Sequence, residues 1–134
     1  MIKYLLDTNI CIYIINKKPE SVIKKILQLK PGDIAISSIS LAELYYGAYK
    51  SLNFTKNLVA LQEFLIPFKI LEFNNDDAFV YGKIRKDLEA KGKIIGAMDL
   101  LIASIALSRR LVLVTNNTRE FSRINELAVE NWAE

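Results

Sequence analysis

Four acidic residues stand where an acid needs a reason. Asp7 ends an apolar run in "MIKYLLDTNICIYIINKK" and is followed at once by Thr8 and Asn9. Glu43 lies among Leu41, Ala42, Leu44, Tyr45 and Tyr46. Asp99 is the lone acid of "IIGAMDLLIASIAL", and Glu120 follows Thr115 and Asn116 in "LVLVTNNTREFSRI". The chain contains no histidine and a single cysteine, Cys11. That composition excludes Ser-His-Asp and Cys-His nucleophiles, HExxH zinc sites and the usual general base near neutral pH. Enzymatic chemistry here would have to run on carboxylates, Lys, Tyr, hydroxyls or a bound metal.

Each acid also has a purely structural explanation. Asp is a favoured N-cap, and for Asp7 taken alone that reading and metal ligation are evenly matched. Ser40-x-x-Glu43 and Asn117-x-x-Glu120 both match capping boxes. Asp99 falls in a first helical turn, where the macrodipole favours negative charge.

The surrounding pattern alternates short strands with helices. Residues 3–6, 34–37, 69–73, 111–115 and 127–132 read as strands. The helical stretches are 7–18, 19–30, 37–51, 55–68, 75–93, 97–110 and 117–124. Pro19 suits the start of one helix and Gly92 the end of another. Segment 97–110 is apolar nearly all round, as a central buried helix would be. Such alternation implies an α/β domain spanning 1–134, with a central, mostly parallel sheet flanked by helices in three layers. Ligands of such sheets bind beyond the carboxyl ends of the strands. Asp7 and Thr115–Asn116 end strands on that edge, and Glu43, Asp99 and Glu120 open helices beside it. Two carboxylates about 5 Å apart repel by roughly 3 kcal/mol at an effective dielectric of 20. A cluster therefore persists by holding protons or a cation, and oxygen-only ligands suit Mg²⁺, with Mn²⁺ an alternative. Such an ion supports phosphoryl chemistry without any side-chain nucleophile.

The segments "LLDTNICIYII", "SSISLAELYYG", "IIGAMDLLIASIAL" and "LVLVTNNTREFSRI" resemble, in order and spacing, the four motif blocks of PIN-domain ribonucleases, and most closely the VapC toxins of type II toxin–antitoxin systems. The resemblance implies a Mg²⁺-dependent endoribonuclease acting on structured RNA, tRNA in particular, and in several members the anticodon loop of initiator tRNA. It matches Asp7, Glu43 and Asp99 to the metal-binding acids and Glu120 to a fourth acidic position that is often Asp in the wider family. The longer Glu120 would reach metal through water or only orient other groups. Thr8, Asn9, Thr115 and Asn116 match polar positions lining the site, and Gly96 matches the glycine before the third acid. The resemblance further implies a homodimer and a cognate VapB-type antitoxin joined to it in a larger complex, with operator DNA bound through the antitoxin.

The net charge of +3 permits an RNA partner without demanding one. In "KIRKDLEAKGK", a solvated helix face with pairs such as Asp87 with Lys83 or Lys91 competes with an RNA-contacting rim of Arg85, Lys86 and Lys93. Tyr45, Tyr46 and Tyr49 suit packing or a dimer contact better than base stacking. Cys11 reads as a small core residue. Asp7 interrupts the first apolar run and no small-residue cleavage site follows, so no secretory leader is expected; with a lone cysteine and no bilayer-length span, the chain reads as cytoplasmic. The competing function is a non-catalytic PIN-like module gripping RNA or a basic protein. A haloacid-dehalogenase-type phosphatase wants an acid two residues after Asp7, where Asn9 stands, and no GxGxxG or Walker A stretch supports nucleotide binding.

Overall fold

The computed structural model describes residues 1–134. Its strands are β1 (Tyr4–Leu6), β2 (Ile34–Ser37), β3 (Lys69–Leu71), β4 (Val112–Val114) and β5 (Val129–Glu130). Its helices are α1 (Thr8–Asn16), α2 (Glu20–Leu27), α3 (Ser38–Lys50), α4 (Phe54–Leu65), α5 (Asn75–Ala90), α6 (Ala97–Ser108) and α7 (Thr118–Phe121). The strands form one sheet in the order β3-β2-β1-β4-β5, and every neighbouring pair is parallel. The α/β sandwich expected from the alternating pattern is therefore present, with a fully parallel sheet.

Side chains alternate across this sheet, and the alternation divides the core. Leu5, Ala35 and Leu113 are paired neighbours facing one layer, with α5, α6 and Phe121 of α7. Leu6, Ile36 and Val114 face the other layer, with Ile10, Val22, Leu44 and Leu61 from α1 to α4. Because both faces are covered, the strands read as short unbroken apolar runs. α6 lies deepest: Leu100, Ile102, Ala103, Ser104, Ile105 and Ala106 are all buried. Ser104 is satisfied within the helix, its hydroxyl donating to Leu100 O at 2.7 Å.

The chain runs outward from β1 to β2 and β3, then returns to build β4 and β5 on the opposite side. The connections leave β1 in opposite directions, so a crevice opens beyond the carboxyl ends of β1 and β4. β5 is shorter than the sequence implies, with only two paired residues. It is an edge strand, and Trp132 turns into the core instead of extending it. The indole packs edge-on to Tyr4 at 5.3 Å and donates to Glu130 Oε1 at 2.9 Å. α5 ends at Ala90 with Lys91 as its C-cap, and Gly92 follows at φ +65°, a left-handed conformation that glycine adopts without a Cβ penalty. No helix is long and apolar enough to cross a membrane.

One ion pair ties α5 to α6. Asp77 is fully buried in a capping box with Asn74, each side chain taking the other's backbone N–H. Arg109 Nη2, just past α6, donates to Asp77 Oδ2 at 2.9 Å and to Glu72 O at 2.6 Å. Asp77 Oδ1 and Arg109 Nε have no partner within the protein. Removing one member of such a pair strands a buried charge. Arg109→Met is expected to lower stability by about 3 kcal/mol in urea unfolding, and adding Asp77→Asn to it should recover part of the loss.

Candidate active site

Asp7 follows β1 directly and caps α1. It is 4 % exposed, with one carboxylate oxygen accepting from Thr8 N at 2.6 Å and the other from the Thr115 hydroxyl at 2.7 Å. Thr115 Oγ1 in turn accepts from Asn117 N at 3.0 Å, so a short relay locks the end of β4 to the end of β1. The choice between N-cap and ligand dissolves here, since each oxygen keeps a lone pair after taking its hydrogen bond.

Glu43 lies in the second turn of α3. The N-cap of that helix is Ser37, whose hydroxyl accepts from Ser40 N at 3.0 Å. The Ser40–Glu43 capping box expected from sequence does not form, because β2 ends three residues earlier and the helix starts with it. Glu43 is instead held from across the crevice: Thr8 Oγ1 lies 2.6 Å from Glu43 Oε1 and 2.9 Å from Ser40 Oγ. Thr8 has one hydroxyl proton, so it donates to the carboxylate and accepts from Ser40.

Glu120 also departs from its expected cap. Asn117 makes no side-chain cap bond; its Nδ2 donates to Glu120 Oε2 at 2.8 Å. The other oxygen of Glu120 accepts from Gly96 N at 2.9 Å, which fixes the residue that caps α6. A Cβ on Gly96 would sit 3.8 Å from Asp99 Oδ2 and 3.9 Å from Glu120 Oε1, so the glycine leaves the space between two acids open. Its φ of −58° is ordinary, and the need is for room rather than for an unusual backbone.

Asp99, half-buried in the first turn of α6, accepts no hydrogen bond. Burial and the charges of Asp7, Glu120 and Glu43 push its carboxyl up to about 6. Burial also raises Asp7, against the hydrogen bonds from Thr115 and Thr8 and with the charges of Glu43 and Glu120. Glu120 is lowered, chiefly by the Gly96 N–H and Asn117. The structure thus brings all four sequence-marked acids within electrostatic reach of one another, although no three of them close on a single point. The donors are all oxygen, two carry charge that their surroundings resist, and Asp99 is free of protein donors. That set fits a hard divalent cation.

Asn9 is exposed and lies 3.4 Å from Asn116, whose Nδ2 donates to the Tyr13 hydroxyl at 2.8 Å. Tyr13 and Asn117 were not marked by the sequence as site residues; only the fold brings a helix-α1 phenol to the end of β4. The basic residues separate. Arg85 pairs with Glu89 at 3.1 Å and donates to Tyr81 at 3.0 Å, Lys83 pairs with Asp87 at 3.8 Å, and Lys86 is exposed on the same helix. Lys93 sits elsewhere, in an open cleft with Arg119 and Arg123, which the sequence reading passed over. Cys11 is fully buried, and burial together with the Asp7 charge pushes its thiol up, so it is no nucleophile.

A family model described as PIN domain matches residues 4–127. Ribonuclease VapC2 of Rickettsia felis is 51% identical over 130 residues, covering 96% of this chain and 97% of the relative. The tRNA(fMet)-specific endonuclease VapC of Shigella flexneri is 43% identical over 133 residues, 99% of this chain and 100% of the relative. Among solved structures, VapBC2 from Rickettsia felis bound to a DNA fragment from their promoter superposes with a TM-score of 0.92 at 50% identity, covering 98% of this chain and 99% of that chain.

The raised carboxyls make stability depend on pH with a definite sign. A group whose folded pKa exceeds its unfolded value stabilises the fold when protonated, and that contribution is lost as pH rises through the folded value. Without added metal, thermal stability is expected to fall between about pH 4 and pH 6, from the ordinary carboxyl value of 3.8 to the folded value of about 6 for Asp99. The lowered Glu120 acts oppositely but only at more acidic pH. Differential scanning fluorimetry of the wild type beside Asp99→Asn checks this; the variant should lose most of the slope.

Proposed function

The chain belongs to the PIN domain family, among the VapC ribonucleases, and on that premise we propose that it is the toxin of a type II toxin–antitoxin pair, an endoribonuclease dependent on Mg²⁺ and directed at tRNA. The observation that carries the reading is the set of four carboxylates at the β1–β4 crevice, with Asp99 left free of protein donors on the first turn of the most buried helix. Asp7, Glu43 and Asp99 would hold the cation. When bound, a divalent ion supplies positive charge against phosphoryl oxygens and acidity to a water molecule.

The remaining work falls to the chain itself. Thr8 aims Glu43, and Thr115 with the Thr8 N–H aims Asp7. With both oxygens engaged by Gly96 and Asn117, Glu120 acts as a positioning residue that sets the start of α6 and therefore Asp99. Asn9 and Asn116 offer amides at the rim, where a phosphate or water needs donors. Initiator tRNA is the substrate we favour, because relatives at 43–44% identity carry that specificity in their names.

For the antitoxin we assign the groove between α1, α3 and α4. It is lined by Ile12, Ile15, Leu44, Ala60 and Leu61, encloses about 270 Å³, and has Glu43 among its walls. A partner lying there covers apolar surface and can bring a cation to the acids. Operator DNA would be bound through that partner, as suits the DNA-bound assemblies of similar chains. A homodimer would cover exposed Phe79.

The expected outcome is loss of RNA cleavage by about 100-fold or more in Asp7→Asn, Glu43→Gln and Asp99→Asn, a loss of roughly 3 kcal/mol of transition-state stabilisation. Circular dichroism should remain native. EDTA should abolish wild-type cleavage and Mg²⁺ restore it. Full Mg²⁺-dependent activity in Asp99→Asn would overturn the assignment, and RNA binding without any cleavage would favour the non-catalytic module. A second check concerns the groove: Ala60→Arg should abolish capture by a VapB-type antitoxin while leaving cleavage of free RNA intact.

A further inference from the structure

We propose that the cleft between the α5–α6 loop and α7 binds the RNA backbone beside the scissile bond, with Lys93 and Arg119 as its phosphate contacts. The proposal deepens the nuclease reading and rests on it. The cleft has a volume of about 600 Å³ and is lined by Gly92, Lys93, Ile94, Arg119, Ser122 and Arg123. Only Ile94 is apolar. Three cations therefore share one concavity, and none of them joins an ion pair. The chain's four ion pairs engage Lys24, Lys83, Arg85 and Arg109 instead.

Like charges gathered without partners repel, and a polyanion offsets that repulsion while releasing its own counterions. The cleft is held in shape: Arg123 Nη1 donates to Ile94 O at 2.6 Å, pinning the loop to the segment after α7. Arg123 is thus partly structural, whereas the side chains of Lys93 and Arg119 are exposed and free.

Position selects RNA among polyanions. Arg119 precedes Glu120, and Glu120 holds Gly96, the residue that opens the acid-bearing helix. Lys93, on the other side of the cleft, lies three residues before that same Gly96. A single strand running from the crevice to the cleft would put one phosphate against the acids and another against the cations. The acids by themselves repel a nucleic acid, so cations immediately beside them are where a strand gains its hold. Arg85 and Lys86 do not line this cleft; Arg85 lines another pocket and is occupied by Glu89 and Tyr81.

The test measures binding and cleavage of one structured RNA by the full chain. In Lys93→Ala/Arg119→Ala the dissociation constant for RNA, measured with Ca²⁺ in place of Mg²⁺, should rise about tenfold or more. The slope of log Kd against log salt should fall by about 1.4, at roughly 0.7 per lost contact to a single strand. With Mg²⁺, KM should rise while kcat stays near the wild-type value, a split that a folding defect would not give. Arg119→Glu should weaken binding further, and Arg85→Ala/Lys86→Ala should leave Kd and slope unchanged. Wild-type Kd and slope in the Lys93/Arg119 variant, or the whole loss appearing in the Arg85/Lys86 variant, would overturn the proposal. Failure of the nuclease reading is visible separately, as a wild type that binds RNA yet never cleaves it with Mg²⁺.

Discussion

Everything at the acidic crevice depends on keeping negative charge half-buried beside more negative charge. Such charge is costly to desolvate and costly to crowd. The fold meets this by giving each of three acids its own donors from a different element. Asp7 takes Thr8 N–H and the Thr115 hydroxyl, Glu43 takes the Thr8 hydroxyl, and Glu120 takes Gly96 N–H and Asn117. Only Asp99 is left without help, and burial beside the other acids pushes its carboxyl up to about 6. A site arranged so that one carboxylate is unsatisfied is poised for a ligand that satisfies it.

Those donors are where they are because the sheet is parallel and changes direction at β1. Consecutive strands ending on one edge bring Thr8 and Thr115 together although they lie in different quarters of the chain. Covered on both faces, the sheet leaves that edge as the place where backbone and side-chain polar groups emerge together. The apolar wrapping of α6 then carries Asp99 into the crevice on a helix that cannot easily shift, since six of its residues are buried. The cations remain outside this wrapping, on a loop and a one-turn helix, so the same edge presents opposite charge a short distance from the acids.

Much of this was legible from residue types. An acid ending the run "KYLL", or alone in "AMDLLIASIAL", is conspicuous because apolar periodicity defines the element around it, and both expectations concerned local structure. What escaped was any feature fixed by pairing between distant elements. Three serines compete to cap α3, and Ser37 wins because its pairing with Leu71 sets where β2 stops. The Asp77–Arg109 pair joins residues 32 apart and leaves no periodic trace. Lys93 is near Arg85 in sequence, yet Gly92 turns the chain and sends it to a different cleft. Arg119 and Arg123 went unmarked because two arginines in a short segment are unremarkable until Gly92–Ile94 is seen to face them.

The hydrogen bond from Thr115 to Asp7 spans 108 positions of the chain. Contacts of that separation form late, since the loop between them must close first. During synthesis the amino-terminal part folds as it emerges, but β1 has no β4 beside it until residues 112–114 are free to dock. Glu120, and with it the anchored start of α6, comes later still. A nascent chain therefore carries Asp7 and Glu43 long before Asp99, and all three before the arrangement that makes them act together. Topology alone keeps the four acids from assembling until the strands that follow α6 have docked.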